Sequence, residues 1–308
     1  MSPGPPRVVH HGAEELLRRL DLAVTRRLDG LLQGDYAGLA PGPGSEPGEA
    51  RAYQPGDDVR LMDWNVTART GEPHVRMPIA DRELETWVVA DLSPSLDFGT
   101  AACEKRDLAL AAVAAVGFLN ARVGNRIGGL VTQADATTWV PARPGRDHLL
   151  ALLHRMVGAP RGEGGGTTDL AAALRLAARL ARRRGMVVVV SDFLSVPGWE
   201  RPLRGLAARH EVLAVEVVDP RELELPDVGV LAVLDPETGR RLEVQTADAR
   251  LRDRYTEATA AQRAAVASSV RSAGADHLVL RSDRDWLLDL VRFVDRRRRW
   301  RRPAPPPP

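Results

Sequence analysis

From residue 85 onward the apolar positions fall into two alternating kinds of run. Short, largely apolar blocks at 85–90, 126–132, 186–190, 211–218 and 277–280 read as strands of a parallel sheet covered on both faces. Residues 137–140 form a further short strand. Between the blocks lie longer stretches at 101–123, 146–157, 168–183, 199–208, 248–273 and 285–299, which are predicted to be helical. Strands and helices alternating at this length predict βαβ units, hence an α/β fold with a mostly parallel, doubly wound sheet of Rossmann type. The regularity breaks after Asp219. There, 229–234 and 241–245 flank the turn-rich Asp235-Pro236-Glu237-Thr238-Gly239, so a β-hairpin is expected near 227–246, appended to the sheet.

Upstream of this domain, residues 13–32 carry Leu at 16, 17, 20, 28, 31 and 32 with charges between, the pattern of an amphipathic helix. Residues 34–48 are rich in Gly and Pro and predict an irregular loop. The expected organisation is an N-terminal helix and motif segment over 1–84 that packs on the main domain, the α/β domain over 85–300, and an Arg- and Pro-rich tail over 301–308.

Composition narrows the field. With 308 residues, 44% of them apolar and 27% charged, the chain can bury a sizeable core. Its 43 basic and 41 acidic residues nearly cancel, so no global surface for a polyanion is implied and no nucleic acid is expected as a partner. Lys105 is the only lysine among those basic residues. Cys103 is the only cysteine, which excludes a disulfide framework and fits a reducing compartment. The first twelve residues lack the apolar core of a secretory signal, and the longest apolar run, 108–119, is too short to span a bilayer. A cytoplasmic protein is expected.

The candidate chemistry sits at strand ends. After the block 85–90 come Asp91, Ser93 and Ser95, one carboxylate and two hydroxyls where ligands gather in open α/β sheets. An oxygen-only cluster of this kind suits magnesium, with manganese or calcium as alternatives. Two further segments follow in order: Gly162-Glu-Gly-Gly-Gly-Thr167-Thr168-Asp169 before a helix, and Val187-Val-Val-Val-Ser191-Asp192 closing a buried strand. The three together resemble the metal-ion-dependent adhesion site (MIDAS) of von Willebrand factor A domains. The resemblance implies a von Willebrand A-like fold and places Asp91, Ser93, Ser95, Thr168 and Asp192 on the five ligand positions, with Thr167 as the alternative threonine. Few direct carboxylates leave such an ion with an open position that an acidic side chain from a partner can fill.

A second resemblance covers most of the chain. The segment containing Arg51, Tyr53, Pro55, Gly56, Asp57, Asp58, Arg60, Asp63, Trp64 and Arg69 is similar to the signature of bacterial "domain of unknown function 58" proteins, as is Val218-Asp219-Pro220-Arg221-Glu222. Pro55-Gly56 suits the centre of a type II turn, and the charges suit an ion-pair lattice with Trp64 as a packing anchor. The segment is either a structural clasp or a partner surface. Proteins of that family are generally found beside MoxR-type AAA+ ATPases, so the resemblance implies such an ATPase as partner and a chaperone-like role in assembly or maturation of other proteins.

No P-loop, dinucleotide fingerprint or nucleophile motif is present in the sequence. The seven histidines show no metal-ligand spacing and read as surface or helix-end residues. The expected function is therefore a non-enzymatic, magnesium-dependent protein-interaction module. A metal-dependent phosphoester hydrolase is the alternative; it needs a general base or second metal near Asp91, and no His, Lys or acid in the sequence obviously supplies one. A metal-free scaffold is a third reading.

Overall fold

The computed structural model describes residues 50–54, 57, 59, 62–76, 84–133, 136–161, 168–235 and 239–301. The proposed helix at 13–32, the Pro55-Gly56 turn, Asp58, Arg60, the glycine loop with Thr167, and the Pro-rich tail beyond 301 lie outside these residues.

Six strands form the central sheet: β3 (Glu85–Asp91), β4 (Arg126–Gln133), β5 (Ala136–Arg143), β6 (Gly185–Ser191), β7 (Glu211–Val218) and β10 (Asp276–Arg281). Their order is β10-β7-β6-β3-β4-β5, and every neighbouring pair is parallel except β4 with β5. Continuous apolar runs become central strands because both faces are covered. In β6, Val188 and Val190 point into one core, and Val187 and Val189 into the other.

The first core is closed by α2 (Lys105–Arg122), α3 (Arg146–Val157) and α7 (Trp286–Arg301). The second is closed by α4 (Leu170–Leu180), α5 (Glu200–Ala207) and the C-terminal part of α6 (Ala249–Ser272). Helix α2 is apolar almost all round because it is buried almost all round, from Lys105 to Asn120. Its start is fixed by a capping box between Glu104 and Asp107. Three layers of this kind are the doubly wound α/β architecture that the sequence pattern predicts.

Two small sheets stand apart from the central one. Strands β8 (Val230–Leu234) and β9 (Arg241–Gln245) form the expected hairpin, but it makes its own two-stranded sheet rather than extending the main one. Val228, Val230, Leu234 and Leu242 on and beside it are more than half exposed. The other, β1 (Ala50–Ala52) with β2 (His74–Arg76), encloses the short α1 (Trp64–Thr70).

Within that second unit the motif residues do local work. Asp63 is buried and caps α1 by accepting from the backbone N–H of Asn65 and Val66 (3.1 and 3.2 Å). Asp57 closes a turn by accepting from the Gln54 N–H at 2.8 Å. Trp64 is 70% exposed, so the expected packing anchor is instead a surface aromatic. It occupies the first position of a helix of only seven residues, none of them buried. Tyr53 is half-buried and Arg69 exposed.

Candidate metal centre

Strands β3 and β6 are neighbours in register, Ala90 beside Val190, and their following loops leave in different directions. This is the switch point of the sheet, where a crevice opens at the carboxyl ends. It brings together four of the five candidate ligands. Asp91 closes β3; its Oδ1 accepts from the Ser93 N–H (2.9 Å) and its Oδ2 from the Ser191 hydroxyl (2.7 Å). Ser93 Oγ and Ser95 Oγ lie 2.9 Å apart, and Ser95 Oγ donates to Asp192 Oδ2 at 2.8 Å. All four side chains are buried, Ser95 being the most open at 9%.

The fifth, Thr168, precedes α4, which packs against β3 and β4. Asp169 caps that helix through the Ala172 N–H (2.7 Å). The Thr168 side chain is fully buried, and its hydroxyl makes no hydrogen bond among the described residues. A buried polar oxygen without a partner is uncommon, because its desolvation goes uncompensated. Octahedral magnesium, with Mg–O of about 2.0–2.1 Å, sets neighbouring ligand oxygens about 2.9 Å apart. The Ser93–Ser95 and Ser95–Asp192 hydrogen bonds have about that length, so an ion could replace them without the oxygens moving apart. The oxygen-only set of Asp91, Ser93, Ser95 and Asp192 fits a small hard cation, to which Thr168, on the segment before α4, would add a hydroxyl that lacks a partner among the described residues.

The backbone around the site is held from several sides. The Leu92 N–H donates to Thr132 O (2.8 Å), and the Arg106 guanidinium binds Leu92 O and Ala159 O (3.2 and 3.1 Å) while pairing with Asp97. Phe193, directly after Asp192, has φ of 57°, a left-handed conformation unusual for a bulky residue. Its N–H donates to Ser191 Oγ (2.9 Å), and its ring packs on Trp199 with centroids 5.0 Å apart.

One functional residue was not among those expected. Lys105, at the first position of α2, is fully buried, with Nζ 2.8 Å from Asp192 Oδ2 and a second, short contact to Glu222 Oε1. The only signal was its being the lone lysine in an arginine-rich chain. The family motif around Asp219 explains how Glu222 gets there. Asp219 accepts from Thr100 N (2.8 Å), Thr100 Oγ1 (2.6 Å), Ser282 Oγ (2.7 Å) and Arg221 N (2.9 Å), and forms a capping box with Glu222 over a 3₁₀ turn at Pro220–Glu222. Glu222 is thereby aimed at Lys105. Beyond it Arg263 of α6 approaches Glu222 (3.6 Å) and pairs with the buried Glu216, which also meets His277 Nε2 at 2.8 Å. Two histidines thus differ from expectation: His277 is held in β10, and His210 is buried after α5.

Electrostatics follow from burial and these pairs. Burial, reinforced by the nearby Asp192 charge, pushes Asp91 up to about 6 despite its hydrogen bonds. Burial acts the same way on Asp192, but the Lys105 ammonium outweighs it and holds that carboxyl below its usual range. For Lys105 burial favours the neutral amine, yet Asp192 and Glu222 dominate and keep it charged, above its ordinary value. The site therefore carries an internal cation of its own.

A doubly wound α/β domain with an Asp-x-Ser-x-Ser rim, a buried threonine hydroxyl and a second aspartate one strand away defines the class of this protein. The chain belongs to the family described as "protein of unknown function DUF58", whose profile matches residues 49–265. Uncharacterised proteins of Mycobacterium tuberculosis and Mycobacterium bovis are each 59% identical over 283 residues, covering 92% of this chain and 89% of theirs. Among solved structures, BatB from Bacteroides thetaiotaomicron is similar at 12% identity with a TM-score of 0.44, over 70% of this chain and 99% of that one. An aerotolerance-related membrane protein from Bacteroides fragilis is similar at 13% identity and 0.44, over 69% and 99%. No helix among the described residues is long and apolar enough to cross a membrane.

Proposed function

We propose that this protein is a non-enzymatic interaction module that captures an acidic side chain of a partner through a divalent cation, magnesium by preference. The observation that carries this reading is the convergence of the Asp91, Ser93, Ser95 and Asp192 oxygens at one strand-end rim, together with the Thr168 hydroxyl, which has no partner among the described residues. Ser93, Ser95 and Thr168 supply neutral oxygens, and Asp91 and Asp192 supply charge directly or through water. A bound divalent ion contributes an electrophilic position for a partner's carboxylate. The protein's part is to hold the oxygens rigidly and keep the surrounding charges paired.

The alternative hydrolase needs a base that touches substrate. Among the described residues, the amine beside the site is Lys105, which is charged, doubly paired and fully buried, so it does not serve. Family resemblance supports a MoxR-type AAA+ ATPase in the cytoplasm as the partner, in assembly or maturation of other proteins.

The test is affinity capture from the native cell with the full chain as bait. Recovery of the ATPase in magnesium, lost with EDTA and with Ser93→Ala/Ser95→Ala, supports the proposal. Equal recovery from all three overturns it. Magnesium-dependent turnover of a phosphoester library by the purified chain overturns the non-enzymatic reading.

A further inference from the structure

A buried lysine in contact with a candidate metal ligand is the feature that the function above leaves unused. Its charge changes what the site can do. Asp91 and Asp192 bring two negative charges, and Lys105, one hydrogen bond from Asp192, removes one of them. Glu222 shares the same ammonium; Arg263 approaches it at 3.6 Å but makes its shorter pair with Glu216. Without Lys105, a divalent ion held here would be fully neutralised by the two aspartates. Lys105, in direct contact with Asp192, offsets part of that neutralisation at the carboxylate nearest to it.

We propose that Lys105 is the charge-setting, positioning residue of this site: by pairing with Asp192 it weakens the chain's own hold on a divalent cation and so favours completion of that cation's shell by an external carboxylate. The inference deepens the metal-dependent reading and rests on it. It assigns the preference for an acidic ligand to a residue that touches neither ion nor ligand. Sequence context agrees, since the chain uses arginine everywhere else. The ammonium is a compact point charge with three donors, here shared between two carboxylates.

The experiment is calorimetric titration of the full chain with magnesium at fixed ionic strength, with and without acetate as the carboxylate probe, on wild type, Lys105→Met and Glu222→Gln. Circular dichroism checks that each is folded. For wild type, acetate should tighten magnesium binding. Lys105→Met should bind magnesium roughly tenfold tighter or more, because a like charge a few ångströms from the ion is gone, and its response to acetate should vanish. Glu222→Gln leaves the ammonium undivided on Asp192 and should bind magnesium several-fold more weakly, with the acetate response kept. This variant decides the matter if Lys105→Met does not fold.

A role confined to stability would lower the melting temperature of Lys105→Met without tightening magnesium binding. Should wild type bind and folded Lys105→Met bind no tighter, or Glu222→Gln bind equally well, the proposal falls alone. Magnesium uptake by Lys105→Met and not by wild type supports it. Should none of the three bind, the metal reading and this proposal fall together.

Discussion

Asp219 is the residue whose removal should cost the most for the least change in volume. Its carboxylate is fully buried and gathers four donors: both groups of Thr100, the Ser282 hydroxyl at the end of β10, and the Arg221 N–H. Hydrogen bonds to an ionised group are each worth about 1.5–3 kcal/mol, but four sharing one acceptor are not independent. In Asp219→Ala some of these donors will reach water and the rest will stay dry, so a net loss of about 3–5 kcal/mol is expected.

That is a large fraction of the roughly 5–15 kcal/mol that holds a typical domain together. It should appear as a drop in melting temperature of about 10 °C and a lower urea midpoint. Asp219→Asn keeps one acceptor oxygen and should lose about half as much. Burial tends to raise the Asp219 pKa, but the bonds from Ser282 and Thr100 outweigh it and depress the native value. Its stabilisation is therefore complete above the unfolded carboxyl pKa of about 3.9 and is lost as pH falls through the lower native value. Both variants should flatten the acid limb of the stability curve. A loss below about 1 kcal/mol in Asp219→Ala would refute the view that this clasp organises the loop carrying Glu222.

Two further outcomes follow from single groups. Thr168→Val replaces the unpartnered hydroxyl by a methyl group of the same shape, so without metal it should leave the melting temperature unchanged or slightly raised, while abolishing any rise produced by magnesium; a metal-free loss above about 1 kcal/mol would mean the hydroxyl has a protein partner. Cys103, whose thiol burial and the Asp107 and Asp219 charges push up to about 12, should resist iodoacetamide at pH 8 in the native state and react readily in urea; equal rates would show that the thiol is not shielded.

Much of the frame was legible in the chain because buried parallel strands leave a plain signature. Val187 to Val190 can only be a strand with cores on both sides, and residues 146–157 form a helix with the bounds the pattern gives. The gathering of Asp91, Ser93, Ser95 and Asp192 at one rim was legible as well, since Asp91 ends β3, the two serines lie within four residues of it, and Asp192 directly follows β6. Lys105 was not. Its role depends on Glu222, 117 positions away, and nothing local distinguishes a lysine that caps a site from one that faces water. Ser191 was missed for a similar reason: its hydroxyl serves Asp91 across a strand pair. Trp64 misled because aromatic size argues for burial, whereas its helix is too short to have an inner face.

The left-handed residue beside Asp192 has an effect beyond its own strain. A non-glycine side chain in that conformation carries a penalty of about 1–2 kcal/mol, which the Ser191 hydroxyl on its N–H and the packing of its ring against Trp199 together offset. The rim carboxylate is thus set from below as well, by aromatic packing in the second hydrophobic layer that backs the polar turn. Substitutions in that apolar wedge, which no ion or visiting protein ever meets, will be felt as slack at Asp192.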